Sequence, residues 1–286
     1  MTWRSNATAY TFLAPALFIL VVFGFYPILY SFLMSFSKWR ILDAPQFIGI
    51  ENYRHLFHSK VFWDALLNPA PYRAVTVPAG HVLALGSALL LNQPIKARAF
   101  FRGVCFFPVI VPMVVIALVW NSMFGEHSGI VNSFLIRIGI VPRNWLSNPS
   151  LAFPLIMVMS VWKGFGYGMV LYLAGLQQIP ENYYEAAKID GANTWNRFRH
   201  ITLPLLKPTT LFVVVLALIG SFQVFDQVYV MTQGGPGYST TVLVHFLYEE
   251  AYQRFRMGYA CAIAYVLFAL VFVVSLIQIR LLRHEN

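Results

Sequence analysis

A chain of 286 residues with 58% hydrophobic and only 11% charged residues lies outside the soluble range, where charged residues make up about a quarter of the total. Its net charge of +9 does not mark a nucleic-acid binder, because Lys and Arg sit mostly between apolar runs rather than on one polar face; lipid headgroups are the fitting partner. Cys105 and Cys261 both lie within apolar runs and read as small hydrophobes, so no disulfide is expected.

Crossing ~30 Å of hydrocarbon takes about 20 apolar residues. Stretches of that length recur at residues 11–34, 70–91, 104–124, 152–176, 205–229 and 258–279, which predicts an all-α protein with six transmembrane helices in one domain spanning 1–286. The first run is longer than the ~7 to 15 residues of a secretory h-region and has no convincing cleavage site, so it reads as a retained helix. The second is interrupted by Pro69, Pro71, Arg73, Pro78 and His81. Bilayer helices tolerate such breaks where neighbours satisfy the freed backbone groups.

In the fourth run, Lys163 lies near the middle. A charge at that depth costs at least ~2.5 kcal/mol, so it marks either a structural partner, such as a carboxylate or helix carbonyls, or the path of a solute. Gly164, Gly166 and Gly168 follow it and let helices or substrate approach closely. Gln223 and Asp226 lie toward the end of the fifth run, beside Phe222, Phe225 and Tyr229. That mixture suits hydroxyls and apolar ring faces, and capping or packing is the competing reading. Tyr167 is a weaker candidate for the same path.

An even number of spans places both termini on one side, together with residues 92–103 and 177–205. Lys96, Arg98 and Arg102 are unopposed by acid in the first of these loops, while Lys188, Arg197, Arg199 and Lys207 flank the second. Excess basic residues in short loops mark the cytoplasmic side. On the other side, Trp39, Trp63, Trp120 and Trp145 lie near span ends, where indole rings anchor to the interface.

The polar insert between the fourth and fifth spans has its own helical grammar. Pro180 fits a first helical position, Glu181 favours the positive helix start, and residues 183–189 continue until Asp190-Gly191 turns the chain. Asn193 or Thr194 can cap a second short helix, expected to stop near Leu203 because Pro204 follows. Ala186 and Ala187 leave a smooth surface that a partner could approach, and Gly191 permits a turn that a Cβ would strain. A helix pair lying on the membrane surface is the alternative.

Glu185-Ala186-Ala187, Gly191 and Ile201-Thr202-Leu203-Pro204 together resemble the EAA loop of bacterial ABC importer permeases. Residues 47–53, 173–177 and 232–236 (FIGIENY, LAGLQ and TQGGP) are similar to the binding-protein-dependent sugar permeases, in particular to the first of the two unlike subunits such systems encode. The resemblance implies a carbohydrate importer of the bacterial cytoplasmic membrane with both termini cytoplasmic. It implies a second, homologous permease, two ATPase subunits holding ATP and Mg on the cytoplasmic face, and an extracytoplasmic solute-binding protein. Glu185, Ala186, Ala187, Asp190 and Gly191 become the contact with the ATPase. Lys163, Tyr167, Phe222, Gln223 and Asp226 fall along the implied substrate path.

The chain has no G-x-x-x-x-G-K-[ST] loop, so ATP belongs to another subunit, and residues 234–237 (GGPG), without a lysine, read as a turn. The histidines form no close ligand set, and no nucleophile, base and orienting group cluster together, so neither a metal, a bound cofactor nor catalysis is expected. A secondary transporter or channel is the rival reading. It would need its own coupling-ion acids and an internal repeat, for which Asp226 is a poor substitute.

Overall fold

The structure is a computed structural model, in which residues 3–126 and 129–283 are described. Apart from one hairpin, its regular elements are helical, because a chain immersed in lipid must pair its backbone N–H and C=O groups within each segment. In chain order they are α1 (Trp3–Leu20), α2 (Tyr26–Ser35), β1 (Ser37–Lys38), β2 (Gln46–Phe47), α3 (Glu51–His58), α4 (Lys60–Leu67), α5 (Pro69–Asn92), α6 (Arg98–Ile110), α7 (Met113–Met123) and α8 (Ile130–Arg137). Then follow α9 (Pro149–Gln177), α10 (Glu181–Ile189), α11 (Thr194–Arg197), α12 (Leu203–Leu205), α13 (Lys207–Phe222), α14 (Asp226–Met231), α15 (Leu243–Tyr248) and α16 (Met257–Arg283). Short π-helical turns join α1 to α2 and α11 to α12, and another follows α15.

Four helical stretches are long and apolar enough to cross a bilayer unaided: Tyr10–Ser35, Lys60–Asn92, Pro149–Gln177 and Met257–Ile277. Two bent pairs, Arg98–Ile110 with Met113–Met123 and Thr194–Leu205 with Lys207–Phe222, bring the number among the described residues to six when each pair is counted as one span. The proline-rich start of the second span does not break it. Pro69 and Pro71 fall in the first turn of α5, where no intrahelical N–H is needed, and the helix runs on through Pro78.

Three expectations need correction. Residues 104–124 do not form one straight span: α6 and α7 meet at 93°. Pro112 cannot donate an N–H and pushes Val111 out of the helical region, to φ −70 and ψ 132. The fifth span ends at Phe222 rather than 229, and a break at residues 223–225 precedes α14. The second helix of the polar insert does not stop near Leu203. It continues to Leu205, because a widened π turn over Phe198–Thr202 precedes the proline and leaves Leu203 helical, at φ −61 and ψ −47.

The chain divides into two compact units. One comprises residues up to Trp63 together with Phe246–Leu270; the other comprises Asp64–His245 and residues from Val271 on. In the first unit the most apolar stretch of Tyr10–Ser35 is 0% buried, as expected of a helix whose neighbour is lipid. The hairpin after it is held down by Asn52, whose Nδ2 donates to the Ser35 and Ser37 carbonyls at 2.8 and 3.0 Å. A Cβ on Gly258 would run into the Ser37 carbonyl, so the start of α16 reaches the hairpin only as glycine. Tyr265 donates to the Ile28 carbonyl, and buried Glu250 receives Arg254 at 2.5 Å and Arg256 at 3.2 Å.

In the second unit α5 packs most extensively on α9, with α6 and α13 also against α9 and α7 against α14. One buried cluster gathers Tyr72, Ile116, Phe153, Ile156, Met159 and Val228. A second gathers Ala84, Ala88, Met169, Tyr172, Leu206 and Val213. Trp145 turns inward rather than serving only as an interface anchor: its Nε1 donates to Asn132 Oδ1 at 2.9 Å and its ring packs on Phe124.

Candidate functional site

Two features of the second unit stand out. The first is the α10–α12 insert, residues 177–205. Its opening residue Pro180 is the N-cap of α10 rather than its first helical residue, and Glu181 lies in the first turn, where the helix dipole favours an acid. The helix closes by a left-handed cap. Gly191 sits at φ +77, and the Ala192 N–H reaches back to the Ala187 carbonyl at 2.8 Å. No atom lies within 4 Å of where a Gly191 Cβ would stand, so glycine is required there by the backbone and not by crowding. Asn193 caps α11 through its Oδ1, which accepts the Asn196 N–H at 2.8 Å. Tyr184 and Thr202 share a hydroxyl hydrogen bond of 2.9 Å that ties α10 to the second helix.

The insert presents its surface outward. Glu185, Ala186, Asp190 and Gly191 are exposed and Ala187 is half-buried. Beside these small residues, Ile189 is 86% exposed and Trp195 63%. Large apolar side chains are thus left uncovered on a short, capped element.

The second feature is a cavity of about 470 Å³ bounded by α5, α7, α9, α13, the break after α13, and α14. Its size lies within the ~300–1,000 Å³ typical of ligand sites. Tyr72, Thr76, Gly80 and Ala84 come from α5, Ser160, Gly164, Tyr167 and Gly168 from α9, and Ser221, Gln223, Asp226 and Gln227 from the end of α13 and the start of α14. The break adds Gln223 to this lining and α14 adds Asp226 and Gln227, polar groups beside otherwise largely apolar walls. Gln227 Nε2 donates to the Tyr72 hydroxyl at 3.5 Å, and the Tyr72 ring stacks on Phe153 at 5.8 Å.

Of the residues expected along a substrate path, Tyr167, Gln223 and Asp226 line this cavity. Lys163 and Phe222 do not. Lys163 Nζ points to the Val109 carbonyl of α6 at 3.4 Å, the helix-carbonyl partner weighed above. Phe222 lies under the Arg73 guanidinium, 3.7 Å from its ring centroid. Tyr72, Thr76, His81, Ser160 and Gln227 also line the cavity and were not singled out as ligand candidates from the sequence. Tyr72 and Thr76 are one helical turn apart on α5, so the spacing of these polar residues carried a signal.

Beyond α14 the glycine-rich stretch forms a turn, with Gly234 at φ +78. Threonine hydroxyls fasten it: Thr241 Oγ1 donates to the Gly234 carbonyl at 3.0 Å and Thr240 Oγ1 to the Gly235 carbonyl at 2.8 Å. His245 is buried beneath it, its ring packed near Phe225 and Tyr229, and burial pushes its pKa below the usual 6.5. In the other unit, burial raises the Glu249 carboxyl, with Arg254 opposing the shift. Among the described residues no group of three His, Cys, Asp or Glu side chains could hold a metal ion.

The chain matches known proteins along nearly all its length. The profile of a family described as "Binding-protein-dependent transport system inner membrane component" matches residues 77–283. The arabinooligosaccharides transport system permease protein of Bacillus subtilis is 37% identical over 283 residues, covering 98% of this chain and 90% of the relative. The lactose transport system permease protein of Rhizobium radiobacter is 38% identical, with 98% and 96% covered. The trehalose/maltose transport system permease protein of Thermococcus litoralis is 34% identical, with 100% and 97% covered. A subunit in the crystal structure of a bacterial ABC transporter that imports the acidic polysaccharide alginate superposes with a TM-score of 0.88, at 24% identity over 98% of this chain and 96% of that one.

Proposed function

The chain belongs to the binding-protein-dependent transport system inner membrane components, as a multi-pass permease subunit of an ABC importer rather than an enzyme, and we propose that its cargo is a sugar or sugar-like solute taken up by alternating access. The observation that supports this cargo is the cavity. Its aromatic faces, Tyr72, Tyr167 and Phe225, suit the apolar faces of a pyranose ring, while Thr76, Ser160, Gln223, Asp226 and Gln227 offer donors and acceptors for hydroxyls. Relatives named for arabinooligosaccharide, lactose and trehalose/maltose transport point the same way.

In this reading Tyr167, Gln223 and Asp226 contact the solute, and Lys163 and Phe222 support the walls from outside the lining. The α10–α12 insert is the handle by which paired ATPases move the spans: Glu185, Ala186, Ala187, Asp190 and Gly191 enter a cleft of the ATPase, with Ile189 as apolar anchor. The insert and both termini face the cytoplasm. A second, similar permease completes the pathway and an extracytoplasmic binding protein delivers the solute. ATP and Mg stay on the ATPase chains.

The deciding experiment is reconstitution in vesicles with radiolabelled arabinooligosaccharide, lactose and trehalose. Uptake is expected only when the partner permease, ATPases, binding protein and ATP are all present. Gradient-driven flux through this chain alone would overturn the ATP-coupled reading, and uptake of none of the sugars by the full assembly would overturn the cargo.

A further inference from the structure

The glycines of the cavity helices differ in what surrounds them. On α9, a Cβ at Gly166 would strike the Cys105 carbonyl of α6, and one at Gly168 would lie 3.0 Å from the Ala84 Cβ and 3.4 Å from Val213. At Gly175 it would meet Leu206 at 3.0 Å and Thr209 Oγ1 at 2.5 Å. These three are packing glycines, which bring α6, α5 and the α12–α13 corner close to α9.

Gly164 lies on the same helix and has nothing within 4 Å of its Cβ position. The same holds for Gly80 on α5 and Gly220 on α13, and all three line the cavity. Open space alone would not single them out, since Gly86 and Gly103 are also uncrowded; those two do not line the cavity. All three clearance positions have negative φ, so the backbone does not call for glycine either. In a helix interior glycine is less stable than alanine, and here no neighbour offsets that cost.

We infer that Gly80, Gly164 and Gly220 are specificity residues of the cavity, each keeping one wall bare so that a solute wider than a single sugar ring fits between α5, α9 and α13. The inference rests on the cavity being the solute path. Side chains at these positions narrow the space without disturbing helix packing, and this separates them from the packing glycines Gly166, Gly168 and Gly175 of α9.

The test uses the full transporter in detergent and in vesicles. Gly80→Ala, Gly164→Ala and Gly220→Ala are expected to assemble with an unchanged or higher melting temperature, whereas Gly166→Ala lowers it. A fall at any of the three comparable with that of Gly166→Ala overturns the inference. In a second arm Cys105 and Cys261 are replaced by Ala, and Gly80→Cys is exposed to aminoethyl methanethiosulfonate. Labelling is expected, and it should drop about tenfold or more when Gly164→Leu is added, since a buried space filled by a side chain has no room for the reagent. An unreactive cysteine, or labelling indifferent to Gly164→Leu, overturns the inference.

Protection of the same cysteine by arabinooligosaccharide, lactose or trehalose reads the path separately. Labelling that follows the expected pattern but is protected by no sugar leaves the clearance residues standing and removes the cargo reading.

Discussion

The α10–α12 insert and the cavity are both small, both in the same compact unit, and built in opposite ways. The insert is one continuous stretch whose helices, caps and turn are specified by neighbouring residues: Asn193 caps its own helix and Gly191 ends the one before it. The cavity is assembled from α5, α9 and the α13–α14 break, so that Tyr72 meets Gln227 across 155 positions of chain. Local elements of the first kind survive as recognisable words in a sequence. Constellations of the second kind are diluted through it.

If the insert is a mechanical handle and the cavity a binding surface, their mutants must fail differently. The largest effect is expected in the insert. Ala187→Arg places a charge where a partner must approach closely, and like-charge or uncompensated contacts cost several kcal/mol, so ATP-driven uptake should fall by roughly a hundredfold. Gly191→Pro should act as strongly, because proline requires φ near −65 where the chain holds +77. Both variants should insert normally and keep their affinity for sugar; normal uptake by both would remove the handle from the mechanism.

In the cavity, Gln223→Ala or Asp226→Ala removes a hydrogen-bonding group worth about 0.5–1.5 kcal/mol. Half-saturation should rise about tenfold or less, with the maximal rate largely kept. A drop in maximal rate at unchanged half-saturation would assign these residues to packing, the competing reading of the break.

A third measurement tests a part that belongs to neither feature. The folded pKa of His245 lies below its usual 6.5, so in the window beneath 6.5 the unfolded chain binds more protons than the folded one. Stability is then retained above pH 6.5 and lost as pH falls through that window. Once the slower intrinsic exchange at lower pH is divided out, the protection of amides over residues 232–245 should fall on acidification from about pH 7.5 to about 5.5, and His245→Gln should flatten the dependence. An unchanged pH dependence in that variant would reassign the effect.

The smallest effect is expected from Tyr184→Phe, which deletes the 2.9 Å bond to Thr202. A net loss of about 1 kcal/mol in the stiffness of the insert should lower uptake a few-fold, with cavity affinity untouched. If affinity changed as well, the two features could not be the separate devices described here.

Periodicity and length carried the sequence reading far, since the bilayer leaves few options: an apolar run of adequate length must be a helix. The exceptions came at particular residues. Pro112 turned one expected span into a 93° corner, and the break after Phe222 cut another short. Pro204, expected to end a helix, sits within one because the π turn before it makes room.

What the sequence alone determined is the set of elements encoded by contiguous residues: the apolar spans, the capped insert with its small-residue face, and the absence of a phosphate loop, each readable because its physical cause lies within a helical turn or two of its effect. The tertiary structure alone decided which polar groups share a cavity, that Lys163 points to a carbonyl of α6 instead of into that cavity, and which glycines serve packing and which serve space. Those outcomes depend on what the opposite helix presents, and a glycine or a lysine carries no local mark of its distant neighbour.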